Sequence, residues 1–113
     1  MANGYLEEMF GLSEQVAVVI GGTGVLGGAF CRGLAQAGAK IVVAGRSEER
    51  GNERVKELQD LGGAASFQSV DVSSRESIDA LLAATLKENG RVDVLVNGAG
   101  VNAASSYFEA KDD

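Results

Sequence analysis

The 113-residue sequence has no histidine, no proline, no tryptophan and a single cysteine, Cys31. Without imidazole there is no histidine base or relay. With one thiol, neither an internal disulfide nor a Cys/His zinc cage can form. Catalysis that needs imidazole is excluded, and no metal site is expected. The lone cysteine fits a reducing, cytoplasmic setting. Average usage would supply roughly six prolines, and nothing else in the pattern explains their absence. No run of 18 uncharged apolar residues exists, so no membrane span is expected. The first ten residues carry Glu7 and Glu8 and no basic cluster, which is unlike a secretory signal. Cations are scarce too. Ten Lys and Arg against sixteen Asp and Glu leave a net charge of −6, without a basic cluster, which argues against a nucleic-acid partner.

What is present is ordinary globular composition, 45% hydrophobic and 23% charged, in a length that suits one domain. Glycine is abundant at 16, and several fall in one cluster. Residues 1–12 form a polar arm. Val16-Ala17-Val18-Val19-Ile20 is a continuous apolar run ending in glycines, the pattern of a strand buried on both faces. From Gly24 the period becomes helical, with Leu26, Phe30, Gly33/Leu34 and Ala37 as the expected inner stripe and Gly38 as the stop. Ile41-Val42-Val43-Ala44 is a second buried strand. Ser47 caps the next helix, with Glu48 and Glu49 in its first turn and Val55, Leu58 and Leu61 facing inward.

Ser66-Phe67-Gln68-Ser69-Val70 reads as a more polar strand near a sheet edge. Asp71 or Ser73 starts a third helix with Ile78, Leu81, Leu82, Thr85 and Leu86 on one face, closed by Asn89-Gly90. Val92-Asp93-Val94-Leu95-Val96 is the fourth strand. Strands joined by helical crossovers run parallel and right-handed. The expected fold is therefore α/β, the first half of a Rossmann-like doubly wound parallel sheet in the order 3-2-1-4. Residues 13–100 carry the β-α-β-α-β-α-β units, and residues 101–113 a loop or tail.

Between the first strand and helix stands Gly21-Gly22-Thr23-Gly24-Val25-Leu26-Gly27-Gly28. Binding a diphosphate there needs a tight turn, a backbone bare of side chains and close helix–strand packing. Gly21, Gly24 and Gly27 supply these in turn, and the amides at the helix start face the phosphates. Thr23 adds a hydroxyl. A lysine-bearing phosphate loop is rejected, because five residues beyond Gly22 come Gly27, Gly28 and Ala29. At the end of the second strand, Ala44-Gly45-Arg46-Ser47 offers no acid for a ribose 2′-hydroxyl. Arg46 and Ser47 instead suit a 2′-phosphate. NADP is the expected cofactor, with NAD as the alternative; a methyltransferase reading fails on the missing ribose acid.

With these pieces in place, residues 10–102 resemble the N-terminal half of the short-chain dehydrogenase/reductase family. The resemblance rests on the first strand with its glycine loop, Ala44-Gly45-Arg46-Ser47, Asp71-Val72 and Asn97-Gly98-Ala99-Gly100, in that order and spacing. It implies that Asp71 holds the adenine amino group, with Val72 contributing backbone. It also implies that Asn97 braces the strand ends, and that Gly98, Ala99 and Gly100 let the chain pass close to the ribose and nicotinamide. It implies hydride transfer between nicotinamide and a small carbonyl or alcohol.

Two departures stand out: Ile20 replaces the threonine usual before the first glycine, and the loop is spaced Gly-x-x-Gly-x-x-Gly. Together with Asn-Gly-Ala-Gly-x-Asn, that loop resembles a branch acting on sugar acids of the fructuronate/mannonate type. The family's catalytic serine, tyrosine and lysine belong well beyond the fourth strand. Tyr107 and Lys111 match Tyr-x-x-x-Lys but follow Gly100 too closely for an intervening strand, and are read as a chance match. The chain is accordingly expected to be a truncated cofactor-binding part, inactive alone, whose parent forms a homo-oligomer and takes a small-molecule substrate. The alternative is a non-catalytic dinucleotide-binding or scaffold module. The fourth strand's bare apolar edge must be met by further polypeptide or by another copy.

Overall fold

The computed structural model describes Gly11 and residues 13–98. Seven elements alternate: β1 (Val16–Ile20), α1 (Val25–Gln36), β2 (Lys40–Gly45), α2 (Glu48–Asp60), β3 (Ala65–Ser69), α3 (Arg75–Asn89) and β4 (Val94–Asn97). The strands form one parallel sheet in the order β3-β2-β1-β4, as expected for the first half of a doubly wound fold. Val18 stands beside Val42 on one side and Leu95 on the other.

The period-two alternation of a strand divides the core in two. Val16, Val18 and Ile20 point with Val42, Ala44 and Val70 toward Leu81 of α3. Ala17 and Val19 point with Ile41 and Val43 toward Cys31 of α1 and Leu58 of α2. Every residue of β1 is buried, which is why its sequence is apolar without a break and mostly β-branched. Burial pushes the Cys31 thiol up to about 11, so it packs as a small hydrophobe rather than a thiolate.

Several local expectations are corrected. On α1 the buried face is Gly27, Gly28 and Cys31, whereas Leu26 and Phe30 are 52% and 43% exposed. The helix turns its smallest residues to the sheet, which lets its first turn approach the end of β1. Leu61 is the C-cap of α2 and is exposed, as is Leu86 on α3. The cap of α3 is Ser74, whose hydroxyl accepts from Ser77 N, rather than Asp71 or Ser73. The third strand runs one residue earlier than expected, and the fourth starts at Val94 because Asp93 is used as a fastener. The expected caps at Ser47 and Gly90 are present, the latter at φ 79°.

Asp93 ties the start of β4 to β1. Its Oδ2 accepts from Val16 N at 2.8 Å, and Arg91 grips both carboxylate oxygens at 2.7–3.0 Å. The Arg91 guanidinium, and then the Val16 amide, hold this carboxyl below the usual carboxylate range. A depressed pKa gives stability that is present above the ordinary carboxylate value of about 4 and is lost as pH falls through the folded value. Asp93→Asn keeps an acceptor for Val16 but loses the charge. Its urea midpoint is expected to lie below wild type at pH 7 and to converge with it toward pH ~2. Parallel curves at all pH values would assign the fastening elsewhere.

Candidate dinucleotide site

All four strands end at one rim; from β1 the chain crosses to β2 and on to β3, then returns past β1 to β4 on its other side. An open sheet forms its ligand crevice at this reversal, outside the carboxyl ends of the strands. Gly21 begins the loop at φ 83°, a left-handed conformation that suits glycine, and its N–H donates to Ala44 O at 2.9 Å. Gly24 N donates back to Gly21 O at 3.0 Å, and Gly24 then serves as the N-cap of α1, with no side chain to cover the helix end. A Cβ on Gly27 would overlap the Gly21 carbonyl oxygen and lie 2.8 Å from Gly22 Cα, so the helix can sit this close only as glycine.

Among the described residues, no acceptor reaches the amides of Thr23, Val25, Leu26 or Gly27. Donors left open at a helix start, at the positive end of its dipole, are a fit for a diphosphate.

A crevice of about 770 Å³ opens in front of these amides. Gly21, Thr23, Gly24, Val25, Leu26 and Gly27 line it on one side, and Arg46, Ser47, Val70, Val72 and Gly98 on the others. Ser47 Oγ accepts from Arg50 N at 3.2 Å, which leaves its own hydrogen free to donate. Among the described residues neither Arg46 nor Arg50 forms an ion pair. The acid slot is Gly45, and a Cβ there would meet the Thr23 side chain at 3.2–3.3 Å, so any larger residue requires threonine to shift by a few tenths of an ångström.

Asp71 lies between two lining residues, Val70 and Val72, but is itself off the lining. Its Oδ1 accepts from Ser73 N at 3.0 Å and from Ser73 Oγ at 2.7 Å. These two bonds, and more weakly the Arg46 charge, hold its carboxyl below the usual range. Asn97 ends β4 beside Ile20, and Gly98 N donates to Ile20 O at 2.9 Å. Ala99, Gly100, Tyr107 and Lys111 lie outside the described residues.

The family model described as short chain dehydrogenase matches residues 15–113. The chain belongs to this family. A 3beta-hydroxysteroid dehydrogenase from Mediterraneibacter gnavus is 37% identical over 100 residues, covering 88% of this chain and 36% of that protein. L-sorbose reductase from Gluconobacter frateurii, solved with NADPH and L-sorbose, superposes with a TM-score of 0.78 at 33% identity, over 88% of this chain and 38% of that one. A metagenomic short-chain oxidoreductase solved with NADP gives 0.74 at 36% identity, over 86% of this chain and 42% of that one. This short-chain dehydrogenase chain therefore spans well under half the length of the relatives it matches. One of them is named for a steroid and another for sorbose, so they do not single out the sugar-acid branch.

Two residues of the site escaped the sequence. Arg50 lines the crevice together with Arg46, and its signal is its place in the first turn of the helix that Ser47 caps. Arg54 lies behind the glycine loop, and no local pattern marks it.

Proposed function

We propose that this chain is the NADP-binding part of an oxidoreductase that transfers hydride between nicotinamide and a small carbonyl or alcohol. The observation that carries the reading is the set of open amides at Thr23, Val25, Leu26 and Gly27, facing the same crevice as Arg46. The amides take the diphosphate. Arg46, Arg50 and the Ser47 hydroxyl take the 2′-phosphate, where two guanidinium groups and no acid favour NADP over NAD. Val70 and Val72 offer apolar surface to the adenine, and Asp71 keeps Oδ2 for its amino group, since Ser73 engages Oδ1. Asn97 and Gly98 border the nicotinamide ribose, and the family resemblance extends this border to Ala99 and Gly100.

The bound nicotinamide supplies or accepts the hydride. Proton transfer is assigned to residues outside this sequence rather than to Tyr107 and Lys111, and the setting is taken as cytoplasmic.

Titrating the chain with NADPH, NADH and S-adenosylmethionine tests the reading. NADPH is expected to bind at least about tenfold more tightly than NADH, the gain expected of a charge-assisted phosphate contact. Equal affinities would remove the NADP assignment. Binding of neither dinucleotide would remove the function. Rapid turnover by these 113 residues alone would overturn the placement of proton transfer elsewhere.

A further inference from the structure

Arg54 projects from α2 onto the side of the glycine loop away from the crevice. Its Nε donates to Gly22 O at 3.0 Å and its Nη2 to Gly24 O at 3.3 Å. Its Nη1 is held by Glu57 at 2.6 Å, and its side chain is 18% exposed. It is absent from the crevice lining that includes Thr23, Gly24 and Val25. The guanidinium rests on Gly28, where a Cβ would lie 2.7 Å from Cζ and Nη2. Glycine at position 28, which phosphate contact does not require, is thereby explained.

A trans peptide is planar, with its N–H opposed to its C=O. The Gly22 carbonyl shares a peptide unit with the Thr23 amide, and the Gly24 carbonyl with the Val25 amide. Gly24 O also accepts from Gly28 N at 2.8 Å, the first bond of α1, so Arg54 reinforces a direction that the helix already sets there. At Gly22 O no other donor is found among the described residues, and drawing that oxygen toward α2 turns the Thr23 N–H the other way. A cationic donor on the oxygen also polarises the unit and strengthens the N–H as a donor. Glu57 is shared between Arg54 and Arg32, at 2.6 and 3.4 Å, and fixes the guanidinium of Arg54 in place.

We propose that Arg54 is the positioning residue of the glycine loop: seated on Gly28 and paired with Glu57, it holds the Gly22 carbonyl, and with the Gly28 amide the Gly24 carbonyl, so that the Thr23 and Val25 amides face the diphosphate of a dinucleotide. This rests on the dinucleotide reading above. The role differs from that of Arg46, which meets the ligand directly.

The test compares two ligands in calorimetric titrations of wild type, Arg54→Met, Arg54→Lys and Gly28→Ala. NADPH uses the loop amides, whereas adenosine 2′-monophosphate has no diphosphate and uses the Arg46 corner and the adenine surface. Arg54→Met is expected to weaken NADPH by roughly tenfold to a hundredfold more than it weakens the monophosphate. Gly28→Ala, which keeps the charge but displaces the guanidinium, is expected to shift the ratio in the same direction, and Arg54→Lys to restore part of it. If Arg54→Met does not fold, Gly28→Ala decides. An unchanged ratio, or equal loss of both ligands, would overturn the positioning role and leave Arg54 a packing residue. Wild type that fails to bind NADPH would overturn the cofactor reading itself, a separate outcome visible before any variant is made.

Discussion

Gly27→Ala is expected to weaken NADPH binding by roughly a hundredfold or more while the chain remains folded. Its new methyl would overlap the Gly21 carbonyl oxygen and press on Gly21 C and Gly22 Cα at 2.7 and 2.8 Å. These are backbone atoms of a hydrogen-bonded turn and cannot rotate aside, so α1 must retreat by more than about an ångström to reach ordinary contact distance. The open amides of its first turn retreat with it. Overpacking of this kind also costs about 1–3 kcal/mol of stability. Gly33→Ala is the matched control on the same helix, because a Cβ there meets nothing within 4 Å. It is expected to raise stability by about 0.5–1 kcal/mol through helix propensity and to leave NADPH binding as it is. NADPH titration and urea unfolding of the two variants check both statements. Wild-type affinity in Gly27→Ala would mean that the close approach of helix and loop is not what places the donors.

The second large effect concerns which dinucleotide is chosen. Arg46→Met is expected to weaken NADPH about tenfold to a hundredfold while changing NADH by less than about threefold, because only the former carries the phosphate that a guanidinium fork can grip. Arg50 softens the loss by supplying a second cation from the same crevice, so Arg46→Met with Arg50→Met is expected to go further than either alone. Gaining NADH requires an acid at position 45, and Gly45→Asp must first displace the Thr23 side chain. Thr23→Ala is therefore expected to improve the effect of Gly45→Asp. Equal loss of both dinucleotides in Arg46→Met would show that this arginine supports the fold rather than reading the cofactor.

The strands and their order were legible because β1 and β2 are uninterrupted apolar runs, and alternation with helices leaves few parallel arrangements. The glycine loop was legible because tight turn and close approach demand a residue type, not merely a period. The face of α1 is not legible, for the converse reason. Periodicity weights large side chains, and this helix packs through Gly27, Gly28 and Cys31, leaving Leu26 and Phe30 outward. The start of α3 was misplaced within Asp71-Val72-Ser73-Ser74, where three of the four side chains are able to cap. Arg54 was invisible because its partners stand 30 and 32 residues away and meet it only once α2 lies against the loop. The family resemblance places Asp71 at the adenine. Its bonds to Ser73 give it a local role at the turn before α3 as well.

The most direct test is a residue-resolved NMR titration of the ¹⁵N-labelled chain with NADPH. The amides of Thr23, Val25, Leu26 and Gly27 are expected to shift first and furthest, together with the guanidinium signals of Arg46. Ligand-induced shifts confined to other surfaces, with these amides unmoved at saturation, would contradict the account.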